Sequence, residues 1–180
     1  MLIHGSPDRS ANFAKVLARI PDLRVTTYDR RGYGRSVGLE GGGIPQHALD
    51  LIELLDGEPA VVMGHSAGGA VALLASTKAP ELFRSIGAWE PPMVAHEWWA
   101  GPIPWKIMRK YARYEDPRQL GEDFNRSTIG DARWEALGGP PGGLIVSNDA
   151  ALMQRIDAIA FPGLTANFDV GKSAALAITL

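Results

Sequence analysis

Pro59-Ala60-Val61-Val62-Met63-Gly64-His65-Ser66-Ala67-Gly68-Gly69-Ala70-Val71-Ala72-Leu73-Leu74 passes from a short apolar run, through Gly-x-Ser-x-Gly, into small and aliphatic residues. Val61, Val62 and Met63 suit a strand buried on both faces, and the Ala-rich segment from Ala67 suits a helix. Ser66 then stands on the turn between them. A serine on so sharp a turn takes strained dihedrals, and the helix can fold back past the strand only where the neighbours lack bulky side chains. Gly64 and Gly68 meet that need. The turn lifts the Ser66 hydroxyl clear of the sheet beside a helix N-terminus, whose free N–H groups favour negative charge on a substrate oxygen. These are a nucleophile's surroundings, although a turn used only for packing would carry the same glycines.

On the N-terminal side, Met1-Leu2-Ile3 reads as the end of a strand that runs into a His4-Gly5-Ser6-Pro7 loop. Ser10 is placed to cap a helix in which Phe13, Val16, Leu17 and Ile20 recur at helical spacing until Pro21. Leu23 to Tyr28 reads as a strand, followed by the turn Asp29-Arg30-Arg31-Gly32-Tyr33-Gly34-Arg35-Ser36. Pro45 suits the first turn of a helix with Ala48, Leu51, Ile52 and Leu55 on one face, ending near Gly57. Beyond the quoted stretch, Arg84 to Trp89 reads as a strand that Glu90-Pro91-Pro92 ends. Strands alternate with helices, which requires right-handed crossovers and a parallel sheet with ligands at the carboxyl ends of the strands. His4-Gly5, Asp29-Arg30, Ser66 and Glu90 all fall at such ends. Residues 1–92 thus form an α/β core. From 93 to 160 tryptophans, prolines and short helical patches suggest an inserted helical cap, and 161–180 return to the core with a last strand over Ala174 to Leu180.

Composition narrows the function. The chain has 180 residues, 46% of them hydrophobic, enough for one well-filled core. A net charge of -2 gives no general attraction to nucleic acid or to an anionic membrane. No run approaches the length of a membrane span, and Met1 is not expected to open a signal peptide, since a cationic leader and a cleavage site are missing and Leu2-Ile3 already reads as strand. The absence of cysteine excludes disulfides, thiolate metal sites and a cysteine nucleophile, and it fits a cytoplasmic location. Histidines at 4, 47, 65 and 96 have no metal-ligand spacing.

Three motifs in this order, His4-Gly5-Ser6-Pro7, Tyr28 to Ser36 and Gly64-His65-Ser66-Ala67-Gly68-Gly69, resemble the α/β-hydrolase family. The likeness is to its cap-bearing members: serine esterases, cofactor-free haloperoxidases and carbon–carbon bond hydrolases. It implies a mostly parallel sheet flanked by helices, incomplete at about five strands, with an inserted cap. It also implies Ser66 as nucleophile, the backbone N–H groups of Ser6 and Ala67 as oxyanion donors, and no metal or cofactor. His4, Gly5, Gly64, His65 and Gly68 support the motifs. His4 is expected to order the oxyanion loop, His65 to pack, and His47, at a helix start, to be exposed. Glu90 is a candidate for the triad acid, with a structural carboxylate the competing reading. Trp98, Trp99 and Trp105 are candidates for a pocket that takes an apolar part of a small-molecule substrate.

A serine at Ser66 argues against the branches of the fold that use aspartate there. A dinucleotide-binding domain also begins strand–glycine–helix, but no Gly-x-Gly-x-x-Gly follows any strand. A non-catalytic, ligand-binding member of the same fold is the other reading, and histidine discriminates. In the family the triad histidine follows the final strand, and the first strands precede the position of Met1. The resemblance therefore predicts a chain cut short at both ends and weak in turnover.

Overall fold

A computed structural model describes residues 1–6, 8–39, 43–91, 119, 122–124, 126–127, 130–136 and 176–179. Among the described residues five strands form one sheet: β1 (Leu2–Ile3), β2 (Thr27–Tyr28), β3 (Ala60–His65), β4 (Phe83–Trp89) and β5 (Leu176–Thr179). Their order is β2-β1-β3-β4-β5 and every pairing is parallel. The register aligns Ile3 with Gly64 and Gly64 with Ala88. The carboxyl ends of β1, β3 and β4 therefore lie side by side, bringing the loop after Ile3, the turn at Ser66 and Glu90 to one rim.

Helices α2 (Gly43–Leu55) and α3 (Ala67–Lys78) pack against each other, and α3 lies on β3 and β4. In α2 the buried positions Ile44, His47, Ala48, Leu51 and Leu55 recur at helical spacing. The α3 segment is buried continuously from Ala67 through Ser76. Its small side chains let it sit between sheet and α2 without the polar face that a surface helix needs. The core cluster joins Ile3, Tyr33, Leu51, Val62, Val71, Leu73 and Ile86.

The structure departs from sequence expectation in four places. His47 is buried, at 1% exposure, because the face that carries Ala48 and Leu51 includes it. The segment after Arg9 is a 3-10 turn (Ser10–Phe13) followed by the short α1 (Ala14–Leu17). Ser10 caps nothing there: its N–H donates to Asp29 Oδ1 at 2.7 Å. The strand expected from Leu23 narrows to Thr27–Tyr28, since β1 offers only two residues for it to pair with. Finally, β3 is not buried on both faces. Alternation turns Val62 and Gly64 toward the helices, leaving Val61 and Met63 57% and 45% exposed on the opposite face. Of the expected cap, the short helix α4 (Asp131–Ala136), with Trp134 buried, lies among the described residues.

Candidate active site

Ser66 occupies φ 51° and ψ -122°, a conformation that side-chain-bearing residues rarely adopt. Packing on every side holds it there. Its N–H donates to Trp89 O at 2.8 Å, and its carbonyl accepts from Gly69 and Ala70 N–H at 2.9 and 3.2 Å. A Cβ at Gly64 would stand 2.2 Å from Gly68 O, and one at Gly68 would stand 2.4 Å from Ile3 O. At Gly5 a Cβ would meet Ser66 Cβ at 3.0 Å. Three glycines thus let the β1 loop, the β3–α3 turn and α3 converge on the serine. Ala67 opens α3, where the helix itself offers its N–H no acceptor.

Behind this turn a buried polar cluster fixes the loop after β1. Arg30 N–H donates to His4 Nε2 at 2.9 Å, so that nitrogen carries no proton and Nδ1 donates to Gly5 O at 2.8 Å. Burial first, and the Arg30 cation second, lower His4 to about 3, which keeps the ring neutral in that tautomer. Arg30 is itself fully buried. Its Nη2 donates to Gly5 O and to Ser6 Oγ, both at 2.8 Å, and its guanidinium lies 4.4 Å from the centre of the Tyr33 ring. Ser6 Oγ and Tyr33 Oη are 2.7 Å apart. His47 packs beyond Tyr33 at 6.3 Å between ring centres, lowered to about 3 by burial and then by Arg30. Asp29 clamps the neighbouring turn. Burial would raise its carboxyl, but N–H donors from Arg35 and Ser10 outweigh that and hold it at about 2.

His65 and Glu90 flank the serine. The His65 ring packs on Trp89 at 4.9 Å, and its Nε2 is 3.9 Å from Glu90 Oε2. Glu90 takes φ 52° and its side chain is 70% exposed. Two residues near the site escaped the sequence reading as contributors to it. Tyr33 stood in a recognised turn, but nothing in its spacing said that its hydroxyl would reach Ser6. Asp8 lies just past the loop, its carboxyl raised by burial and accepting from Arg9 N–H at 2.7 Å. Trp98, Trp99 and Trp105 lie outside the described residues. A cleft of about 660 Å³ opens elsewhere, between β2 and α2, and does not include Ser66. Its lining holds the bidentate Arg31–Asp50 pair, at 2.9 and 2.8 Å. Among the described residues no cluster of histidines and carboxylates is placed to hold a metal, and no helix is long and apolar enough to cross a membrane.

Residues 1–174 match the model of the alpha/beta hydrolase family. The 2-(acetamidomethylene)succinate hydrolase of Mesorhizobium japonicum is 34% identical over 94 residues, 49% of this chain and 34% of that protein. An alpha-methylserine aldolase of Variovorax paradoxus is 77% identical over 61 residues, 34% of this chain and 13% of that protein. The chain thus spans about a third or less of these curated relatives. The crystal structure of an enol-lactonase from Burkholderia xenovorans LB400 superposes with a TM-score of 0.68 over 88% of this chain and 64% of that one. At 19% identity that likeness is one of fold.

Proposed function

Because this chain belongs to the α/β-hydrolase family, we propose that it is a serine hydrolase, cleaving an ester or related small-molecule carbonyl substrate through Ser66 and an acyl-enzyme. The observation that carries this reading is the backbone of Ser66, held at positive φ between β3 and the N-terminus of α3 by glycines that admit no side chain. A packing turn has no need to keep a serine in so costly a conformation. Ser66 Oγ attacks the carbonyl carbon as its proton leaves to a general base, and the new C–O bond puts negative charge on the carbonyl oxygen. Collapse breaks the bond to the leaving group, which departs with a proton, and water then releases the acid. The backbone N–H groups of Ala67 and Ser6 meet the oxyanion, each worth roughly 3 kcal/mol in such sites.

The general base is the open role. His4 has both ring nitrogens engaged, His47 lies behind Tyr33, and the His65 ring packs on Trp89. Glu90 stands at the end of β4 as the candidate acid. The aldolase likeness covers 13% of that protein and lends no reaction to this site.

An organophosphonate probe, followed by peptide mapping, tests the nucleophile. The adduct is expected on Ser66 and lost in Ser66→Ala. Labelling that persists in that variant or maps to another serine overturns the assignment, and a folded chain that takes no label at all favours the ligand-binding member of the fold.

A further inference from the structure

Ser6 carries more than the backbone N–H considered above. Its Oγ has two lone pairs and one proton. Arg30 Nη2, 2.8 Å away, can only donate, so it occupies one lone pair. Tyr33 Oη, at 2.7 Å, is a hydroxyl that can either donate to Ser6 or accept from it. When Tyr33 donates, both lone pairs of Ser6 are filled and its proton has to point elsewhere. Arg30 and Tyr33 are fully buried beneath the loop, whereas Ser6 is only partly covered. With the Arg30 and Tyr33 bonds filling two of the tetrahedral directions at Ser6 Oγ, the proton takes the third, away from both partners. The loop runs against the nucleophile at the preceding residue, where a Cβ on Gly5 would meet Ser66 Cβ at 3.0 Å.

We propose that the Ser6 hydroxyl is a third hydrogen-bond donor to the carbonyl oxygen of the substrate, turned toward it by Arg30 and Tyr33. Such a donor is strongest where it is needed. The guanidinium pulls electron density from Ser6 Oγ and so makes its proton a better donor, and the same cation over the Tyr33 ring favours Tyr33 as donor to Ser6. Charge growing on the substrate oxygen then swings the Ser6 proton outward while Tyr33 fills the lone pair behind it. No proton is transferred, so the three hydroxyl and guanidinium bonds reorient without any change of covalent state. Ser6 touches the reacting oxygen; Arg30 and Tyr33 are positioning residues. The role implies selectivity for substrates whose reaction builds charge on an oxygen, carbonyl and phosphoryl compounds alike.

This inference rests on Ser66 as the nucleophile, and the experiment separates the two. An aryl phosphonate reacts in two steps, reversible binding (Ki) and then formation of the Ser66 O–P bond with loss of the aryloxide (kinact). A donor to the phosphoryl oxygen acts on the second step. Ser6→Ala is expected to lower kinact about tenfold or more with Ki unchanged, Ser6→Thr to keep most of the rate because it keeps the hydroxyl, and Tyr33→Phe to lower kinact to a smaller degree. Equal melting temperatures identify folded variants, and if Ser6→Ala fails to fold, the Ser6→Thr and Tyr33→Phe pair decides. Unchanged kinact in Ser6→Ala, or a loss confined to Ki, overturns the third donor while leaving Ser66 in place. Absence of label on Ser66 in the parent chain removes the nucleophile and this proposal together.

Discussion

Gly64 states the residue-scale requirement of the fold in its simplest form. A Cβ there lies 2.2 Å from the Gly68 carbonyl oxygen, which is backbone of a helix and cannot swing aside. Gly64→Ala should therefore cost about 3 kcal/mol or more, at the upper end of what overpacking does. Gly38 is the control, since nothing lies within 4 Å of its Cβ position. Gly38→Ala should be neutral or stabilising by up to about 1 kcal/mol. Urea denaturation of the two variants checks the contrast, and equal midpoints would refute the steric account of the turn. Ser66, Gly64 and Gly68 were legible in the sequence because their demand is one of backbone geometry, which five consecutive residues express. Tyr33 and His47 were not. Their places follow from packing between segments far apart in the chain, and a polar ring near a helix start reads as exposed. The sign available for His47 was its spacing, four and eight positions before Leu51 and Leu55 on the same helical face.

At the scale of elements, α2 shows how much of its stability is tertiary. Leu51 is fully buried among α3 and sheet residues, whereas Leu54, three positions on, is 50% exposed. Leu51→Ala should cost about 2–5 kcal/mol through lost burial and the cavity left behind. Leu54→Ala should stay within about 1 kcal/mol, since its surface is already half in water. Thermal melts of both variants give the measurement, and a comparable loss at the two positions would mean that α2 does not pack as described. Helical periodicity made this element legible almost to its ends. The strands were less so, because a strand's length is set by its partner. Leu23 to Tyr28 has the composition of a strand, yet only Thr27 and Tyr28 find ladder partners on the two-residue β1. Composition likewise suggested a doubly buried β3, but which faces are covered depends on which elements pack there, and a single apolar run does not contain that information.

Across the whole molecule, the polar cluster beneath the loop after β1 makes stability a function of pH. His4 and His47 are held neutral, with pKa values of about 3 against an ordinary 6.5, because burial and the Arg30 cation both oppose protonation. Unfolded, each ring takes a proton near pH 6.5; folded, neither does until about pH 3. Over that window the unfolded chain binds more protons, so the stability the two histidines contribute is present above pH 6.5 and is lost as pH falls. Each histidine contributes a slope approaching about 1.4 kcal/mol per pH unit. Asp29, lowered to about 2 from 3.8, adds loss in the same direction only below about pH 4, and the Met1 amino group, lowered from 8.0 by burial, adds loss in that direction from a higher pH. Urea midpoints at pH 7, 6 and 5 at constant ionic strength should therefore decline steeply. His47→Leu removes one of the two groups, and neither His47 ring nitrogen has a hydrogen-bond partner to lose. The variant should keep its stability at pH 7 and show about half the slope below it. A midpoint that stays level from pH 7 to pH 5 in the parent chain would mean that His4 and His47 are not buried as neutral rings, and the hydrogen-bond directions assigned around Arg30 would fall with them.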